Sequence, residues 1–596
     1  MSRRPKRVGA RAAAGGAGES DLARPRWSAA ALFALALVLR LLHWGATPDR
    51  AWAYGVGYKG DGALWLEWAR SLQLGRAFQL GLPLQPPGTA YLVSWLWDGS
   101  AAGILRLRVA WCVLGALAVL LFHLAARRGF GERVGLGVGL VLAGATSGLL
   151  LSGSIDSETP YLVLVGASFL LHGRLADEPS RRALAAWAAL QGLACLFRVE
   201  HALFAALVGG WWLHRWHRAG TRAGVLVRRS ALCAAVALAV LAPWQLSAWS
   251  AVARINERAA TTSAAEEAAF AGLERRLARL EWTPEAVERR RRLPAFTRRP
   301  AARLVAATVA YRGGTVVREQ DFGILEEAFG SIPGPLPRGF LVSLYGPLNF
   351  ALAHHDGADG GFSTARLEAP PPLAGGAGRY PPALVAGLPP PQLALVYPPH
   401  LELVREGYAV GGRWIAEHPA EWLRLVGRRL LVFWSGAALG FGGSGLPLGE
   451  GGVRRAVDLV TPAAGGLATV WRGALLALAI VGAVRARRHP ALAPWLLWLA
   501  SKLLVAVAFF GYARLGAQAA PVVALLGMLA LTGPEARAAR RGHLLAGGLA
   551  AALLVGVETV RFLDPPELRI DGRTVGASDP FPPDIHRVQR LEARPD

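Results

Sequence analysis

Long apolar runs alternate along the chain with short polar segments rich in arginine. A membrane-crossing helix needs about 20 mostly apolar residues. Runs of that length, or near it, lie at 27–44, 105–126, 134–151, 160–171, 183–197, 202–213 and 230–249. Four more follow at 467–484, 491–510, 517–531 and 544–562. The pattern predicts an all-α polytopic membrane protein with about eleven transmembrane helices. Residues 1–26 form a basic cytoplasmic N-terminus, and 27–249 a first module of spans that includes an outer loop at 46–103. Residues 250–422 form a large outer loop, helical over 264–292 and rich in Pro and Gly further on. Residues 423–563 carry the last spans, and 564–596 an outer tail. The segment 423–439 is apolar but holds Arg424, Arg428 and Arg429. If it spanned, the arginines at 485–488 and 537–541 would fall outside, so it is read as an interfacial or re-entrant helix.

Charge fixes the orientation. Arg127, Arg128 and Arg133, then Arg174, Arg181 and Arg182, then Arg215, Arg218 and Arg222 occupy alternate loops. The opposite loops hold Asp61, then Asp156 and Glu158, then Glu200. By the positive-inside rule the acids share the outer face. The whole chain has 65 Lys+Arg against 41 Asp+Glu, a net charge of +24. It is 53% apolar and only 18% charged, with mean hydropathy +0.33. That balance excludes a disordered tail and argues against a soluble enzyme. The basic excess does not point to nucleic acid, because the arginines sit in clusters between apolar runs. The cysteines, Cys112, Cys195 and Cys233, form no CxxC, and neither GxxxxGK nor HExxH occurs. A thiolate zinc site, a P-loop ATPase and a zincin protease are excluded.

Chemistry concentrates in the outer loops. The first holds Lys59, Asp61, an amphipathic helix over 63–74, Gln85, a Pro86-Pro87 turn and a second aromatic-rich helix. Such helices suit the headgroup zone and would present Asp61 at the lipid boundary, although a lone loop Asp is by default solvated. Asp156 and Glu158 precede a span, where they could cap it or contact substrate. Arg198 and Glu200 stand at the outer ends of two helices and could pair with each other. Tyr512 and Arg514 stand at another outer helix end, where an arginine can anchor to headgroups or serve a site. His354, His355, Asp356 and Asp359 in the large loop are weak metal candidates, since adjacent histidines usually diverge.

The pieces GDGALWLEWARSLQLGRAF, QPPGTAYLVSWL, SIDSETPYLVL, FRVEHALF, LAPWQLSAW, RWIAEHPAEWLRLVGRRL and YARLGAQAAPVVALL occur in this order. In order and membrane side they resemble the GT-C membrane glycosyltransferases. The likeness is to the group that includes the protein O-mannosyltransferases and lipid A aminoarabinose transferases (glycosyltransferase family 39-like). The resemblance implies a polyprenyl-phosphate-sugar donor, a hydroxyl acceptor on a protein, lipid or glycan, and no cofactor. It places the catalytic carboxylate on Asp61 and the leaving-phosphate cation on Arg514, with Arg198 and Lys59 behind it. Asp156, Glu158, Glu200, Gln85 and Tyr512 would line the substrate site. Gln85 stands where aminoarabinose transferases carry lysine. The implied location is the bacterial inner membrane, with the site on its outer face. Other classes remain open: a transporter or flippase of lipid-linked saccharides, a polysaccharide polymerase or ligase, and a non-catalytic scaffold.

Overall fold

The computed structural model describes residues 26–45, 61–75, 83–176, 179–258, 279–292, 313–323, 336–361, 398–437, 466–511, 513–532 and a few shorter stretches. Helices stand at every predicted span within them. They are α1 (Arg26–Gly45), α2 (Gly62–Gln73), α3 (Gly88–Leu96), α4 (Ala101–Phe130), α5 (Glu132–Gly144), α6 (Thr146–Gly153), α7 (Glu158–Leu175), α8 (Arg181–Phe197), α9 (His201–Arg218) and α10 (Ala223–Arg258). A parallel pair of two-residue strands, β1 (Glu281–Trp282) and β2 (Val316–Val317), lies in the large loop beside α11 (Pro284–Arg292). Then come α12 (Tyr345–Ala353), α13 (Pro398–Glu417), α14 (Pro419–Ala437), α15 (Gly466–Ala486), α16 (Ala493–Ala508) and α17 (Ala513–Leu531).

Local sequence explains the boundaries. The Ser100 hydroxyl caps α4 by accepting from the Gly103 amide at 3.0 Å, and Ser180 caps α8 by accepting from the Ala183 amide at 3.1 Å. Gly131 at φ 94° ends α4 in a conformation that side chains avoid, so α5 can turn back beside it. The principal core joins α1, α4–α9 and α14–α17 through residues such as Leu39, Phe122, Phe169, Phe204, Phe433, Trp495 and Leu525. A second cluster of Trp65, Trp97, Trp111 and Trp244 holds α2 and α3 onto the bundle. The flank of α10 carries exposed apolar residues, Val227 at 66% and Leu238 at 61%, as a lipid-facing helix does.

Several expectations change. Among the described residues, four helices are long and apolar enough to cross a membrane: Ser28–Gly45, Ala102–Phe130, Ala223–Arg254 and Ala513–Leu531, with Ala493–Ala508 shorter. The expected count of eleven is not confirmed among them. One reason is that α7 and α9 include His and Arg in their last turns. Another is that the run 134–151 breaks at Ala145, which is extended (ψ 119°), into α5 and α6. Of the helix expected over 264–292, residues 264–278 lie outside the described residues; β1 stands at Glu281–Trp282 and a helix at Pro284–Arg292. The segment at 423–439 does not simply rest on the surface. Arg424 and Arg428 are exposed, but Arg429 is buried, and Phe433 and Ala437 enter the principal core beside α17. The expected span at 544–562 lies outside the described residues.

The bundle has two distinct ends. Arg485 donates to the Ala530 carbonyl, Arg128 donates to Leu170 O at 3.5 Å, and Phe130 meets His489 at 4.7 Å between ring centroids. The ends of α4, α7, α15 and α17 and the start of α16 therefore meet in an arginine-rich zone. The predicted acids lie at the opposite end, where α2, α7, α9 and α17 begin.

The close approach of α14 and α17 depends on glycine. A Cβ on Gly516 would lie 1.9 Å from Phe433 O, whereas one on Gly527 meets nothing within 4 Å. Overpacking costs about 1–3 kcal/mol. Gly516→Ala should therefore lower the thermal unfolding midpoint in detergent, while Gly527→Ala should leave it unchanged or raise it. Equal midpoints for the two variants would show that this contact is not tight.

Candidate active site

Six of the predicted residues converge. Asp61 precedes α2, Asp156 lies between α6 and α7, and Glu158 opens α7. Arg198 ends α8, Glu200 precedes α9, and Arg514 is in the first turn of α17. They form two linked groups. In the first, Arg514 Nη1 donates to Asp61 Oδ2 at 3.0 Å and to Asp156 Oδ1 at 3.2 Å. The Asp61 amide donates to the same Asp156 oxygen at 3.0 Å, and the Ser154 hydroxyl to its Oδ2 at 2.7 Å. In the second, Arg198 Nη1 donates to Glu158 Oε1 at 2.6 Å and to Ser157 Oγ at 3.2 Å, while its Nε donates to Glu200 Oε1. Asp156 and Glu158, two residues apart, tie the groups together.

Burial separates their roles. The side chains of Asp156 and Glu158 are each 1% exposed, but Asp61 and Arg514 are 36% and 37% exposed. Asp61 and Arg514 can therefore reach a ligand, while Asp156 stands behind them as support. Burial raises the Asp156 carboxyl to about 7; the Arg514 cation opposes the shift, and Glu158 and Asp61 reinforce it. Burial would also raise Glu200, but Arg198 and Lys502 together outweigh it and bring that carboxyl down to about 2.

Neighbours that the sequence did not single out complete the site. The Trp111 indole donates to the Asp156 carbonyl at 2.9 Å. Tyr345, which opens α12 in the large loop, has its phenol pushed up to about 12 by burial and by the Asp61 charge. The segment before it is strapped to α10 at Val342, a β-branched residue held at φ 62°. The Val342 amide donates to Gln245 at 2.8 Å, and its carbonyl accepts from Trp244 at 2.8 Å. Lys502 lies 1% exposed and 3.8 Å from Glu200. Its one sequence signal was a lone lysine inside an apolar run.

Other candidates fare differently. Gln85 is half-buried in the turn before α3, and the described ion pairs of the cluster do not include it. Lys59 and Tyr512 lie outside the described residues. His354 donates from Nδ1 to Phe350 O at 2.8 Å and accepts at Nε2 from Arg429 at 3.2 Å, so both ring nitrogens are engaged. Asp356 accepts from Trp414 at 2.7 Å. Among the described residues, no group of three or more His, Cys, Asp or Glu is placed to hold a metal ion.

No family model and no curated protein matches the chain. Among solved structures, it is similar to ArnT from Cupriavidus metallidurans bound to undecaprenyl phosphate. That likeness has 16% identity and a TM-score of 0.30, over 84% of this chain and 77% of that one. It is also similar to the oligosaccharyltransferase AglB from Archaeoglobus fulgidus, in complex with an inhibitory peptide and a dolichol-phosphate. Here identity is 13% and the TM-score 0.42, over 90% of this chain and 55% of that one. At these values nothing about this chain's chemistry follows from either likeness.

The raised Asp156 carboxyl sets a pH dependence. Its folded value, about 7, lies above the unfolded value of about 3.9. Its contribution to stability is full below the unfolded value and is lost as pH rises through about 7. The protein should unfold at a lower temperature at pH 8 than at pH 5.5, and Asp156→Asn should reduce that difference. An unchanged difference in the variant would assign the dependence to other groups.

Proposed function

We propose that the protein is a membrane glycosyltransferase that moves a sugar from a polyprenyl-phosphate donor to a hydroxyl acceptor at the outer face of the membrane. The observation that carries this reading is the accessible Asp61–Arg514 pair backed by buried Asp156. It sets a carboxylate that can take a proton beside a guanidinium that can bind a phosphate. The likeness of the outer-loop motifs to GT-C enzymes supports the same assignment. The site lies at the end of the bundle away from the arginine cluster, which the positive-inside rule makes the outer end.

In this reading Asp61 removes the proton of the acceptor hydroxyl as its oxygen bonds to the anomeric carbon. The bond from that carbon to the phosphate oxygen breaks, and polyprenyl phosphate leaves with the electron pair. General-base assistance of this kind is worth roughly 10²–10⁴-fold. Arg514 neutralises the departing phosphate, and its planar fork suits a bidentate contact. Glu200, held by Arg198, orients sugar or acceptor hydroxyls, and buried Glu158 holds Arg198 in place. The donor carries its own leaving group, so the reaction needs no nucleotide.

The resting geometry adds an order to these events. Arg514 is engaged by the same carboxylate that must act as base. A donor phosphate that draws the guanidinium toward itself frees Asp61 to accept a proton, so the donor binds before the acceptor reacts.

Cells lacking the protein should accumulate a polyprenyl-phosphate sugar in their lipid extracts. Wild-type protein should clear it and Asp61→Asn should not, at equal membrane abundance. Arg514→Lys should clear it slowly, and Arg514→Ala should be slower than wild type by on the order of 10²–10³-fold. If no such lipid accumulates, or if Asp61→Asn clears it normally, this reading fails. A single displacement also inverts the anomeric centre, so a product retaining the donor's configuration would exclude Asp61 as base in a one-step transfer.

A further inference from the structure

Lysine occurs in this chain only at Lys6, Lys59 and Lys502. Lys502 lies inside α16, 1% exposed, with its ammonium 4.5 Å from the Trp498 ring centroid and 4.9 Å from that of Tyr161. An ionisable group inside an apolar bundle is costly unless it is matched, and it marks function by default. Its contacts define a directed chain. An ammonium only donates, so Lys502 Nζ donates to the Tyr161 hydroxyl at 3.0 Å. That hydroxyl then gives its own proton to His201 Nδ1 at 3.0 Å. His201 must therefore carry its hydrogen on Nε2, which donates to Gln191 Oε1 at 2.8 Å, and the Gln191 amide donates to Ser168 Oγ at 2.8 Å. The chain crosses α16, α7, α9 and α8, and each donor is fixed by the one before it.

Hydrogen bonds to neutral groups do not balance the charge of Lys502. Glu200, 3.8 Å away, does so. Glu200 and Glu158 also share Arg198. Two carboxylates thus face two cations. Without Lys502, Arg198 would face both acids alone, and this half of the site would carry an excess negative charge.

We propose that Lys502 is a positioning residue: it holds Glu200 and balances the charge of this half of the site, so that the anionic group of a polyprenyl-phosphate ligand drawn to Arg514 meets no excess negative charge beside it. This rests on the glycosyl-transfer reading of the site. The charge arithmetic gives a signature that a packing role would not. Lys502→Met adds a net negative charge to the site, Glu200→Gln removes one, and the double substitution restores neutrality.

Binding of undecaprenyl phosphate to the purified full-length protein in detergent, with the thermal unfolding midpoint measured in parallel, tests this. Lys502→Met should weaken binding on the order of tenfold, as expected for an unscreened unit charge at partly buried range. Lys502→Arg should retain most of the affinity. Lys502→Met/Glu200→Gln should return to near wild-type affinity; Glu200→Gln alone, which removes a negative charge, should not weaken binding of undecaprenyl phosphate, a ligand with no sugar for Glu200 to orient. The Glu200→Gln arm does not require the Lys502→Met protein to fold. If Lys502→Met lowers only the midpoint and leaves affinity unchanged, or if the folded double variant stays weak, the proposal is wrong. If wild-type protein does not bind undecaprenyl phosphate, the donor reading itself falls, and the proposal with it. The midpoints of the same variants then still report whether Lys502 and Glu200 balance each other.

Discussion

Charge buried at the end of an apolar bundle must be neutralised in place, and this requirement organises the structure. Removing one partner of a buried ion pair typically costs about 3–5 kcal/mol, because the other is left uncompensated. Here that rule acts on Asp156, Glu158 and Lys502, each 1% exposed. Arg514 at the start of α17 must meet acids brought by α2 and by the turn before α7. Arg198 at the end of α8 must meet acids at the starts of α7 and α9. Lys502 draws α16 into the same set. The spacing of six helices is thus constrained from one end by a few ion pairs, while apolar packing and close glycine contacts complete the rest.

In the proposed reaction, the same pairing would ready the site for an anion without leaving bare cations in an apolar setting. A phosphate that entered would substitute for a carboxylate already facing the guanidinium, so the positive charge would never stand alone. The cost of preparing the site is met during folding, which is how preorganised electrostatic sites avoid reorganisation later. The large loop contributes a fixed wall. Its segment at Val342 is anchored on α10, and the Leu344 amide donates to Pro83 O at 2.8 Å, joining it to the first outer loop. Arg429 adds a second anchor by donating to Ala353 O at 2.5 Å and to Val507 O at 2.6 Å, across the ends of α12 and α16. Tyr345 and Arg514 therefore approach Asp61 from elements tied to each other.

Hydropathy located the helices, because period and length are local properties of the chain. The alternation of arginine and acid between loops put Asp61, Asp156, Glu158 and Glu200 on one side, and the structure gathers them there. Partnership was not legible in the same way. Asp61 and Arg514 are separated by 453 positions, and no local pattern says which cation a loop carboxylate will meet. Arg198 and Glu200 looked like a simple neighbouring pair, and their contact is present, but Glu158 and Lys502 enlarge it. The break at Ala145 was also hidden, since the apolar run through 134–151 is uninterrupted although its helix is not. Lys502 was readable only as a cost: an apolar helix does not carry lysine unless something distant compensates it.

The break at Ala145 has a consequence for the chemistry. It lets α6 end at Gly153, just before the site, so Asp156 follows the carbonyl end of one helix while Glu158 opens the next. Helix ends carry opposite partial charges, negative at the C-terminus and positive at the N-terminus. Two acids separated by one residue therefore occupy different electrostatic surroundings. The Gly153 carbonyl needs a donor and finds Arg108 at 3.2 Å, and the Leu151 carbonyl is met by Thr159 at 2.8 Å, so the ending helix is closed without using either acid. Among the described ion pairs, Asp61 and Asp156 both meet Arg514. In the other group Glu158 and Glu200 meet Arg198, and Glu200 also meets Lys502. One irregularity in a single apolar run thus sets Asp156 and Glu158 in different surroundings, each tied to a different arginine.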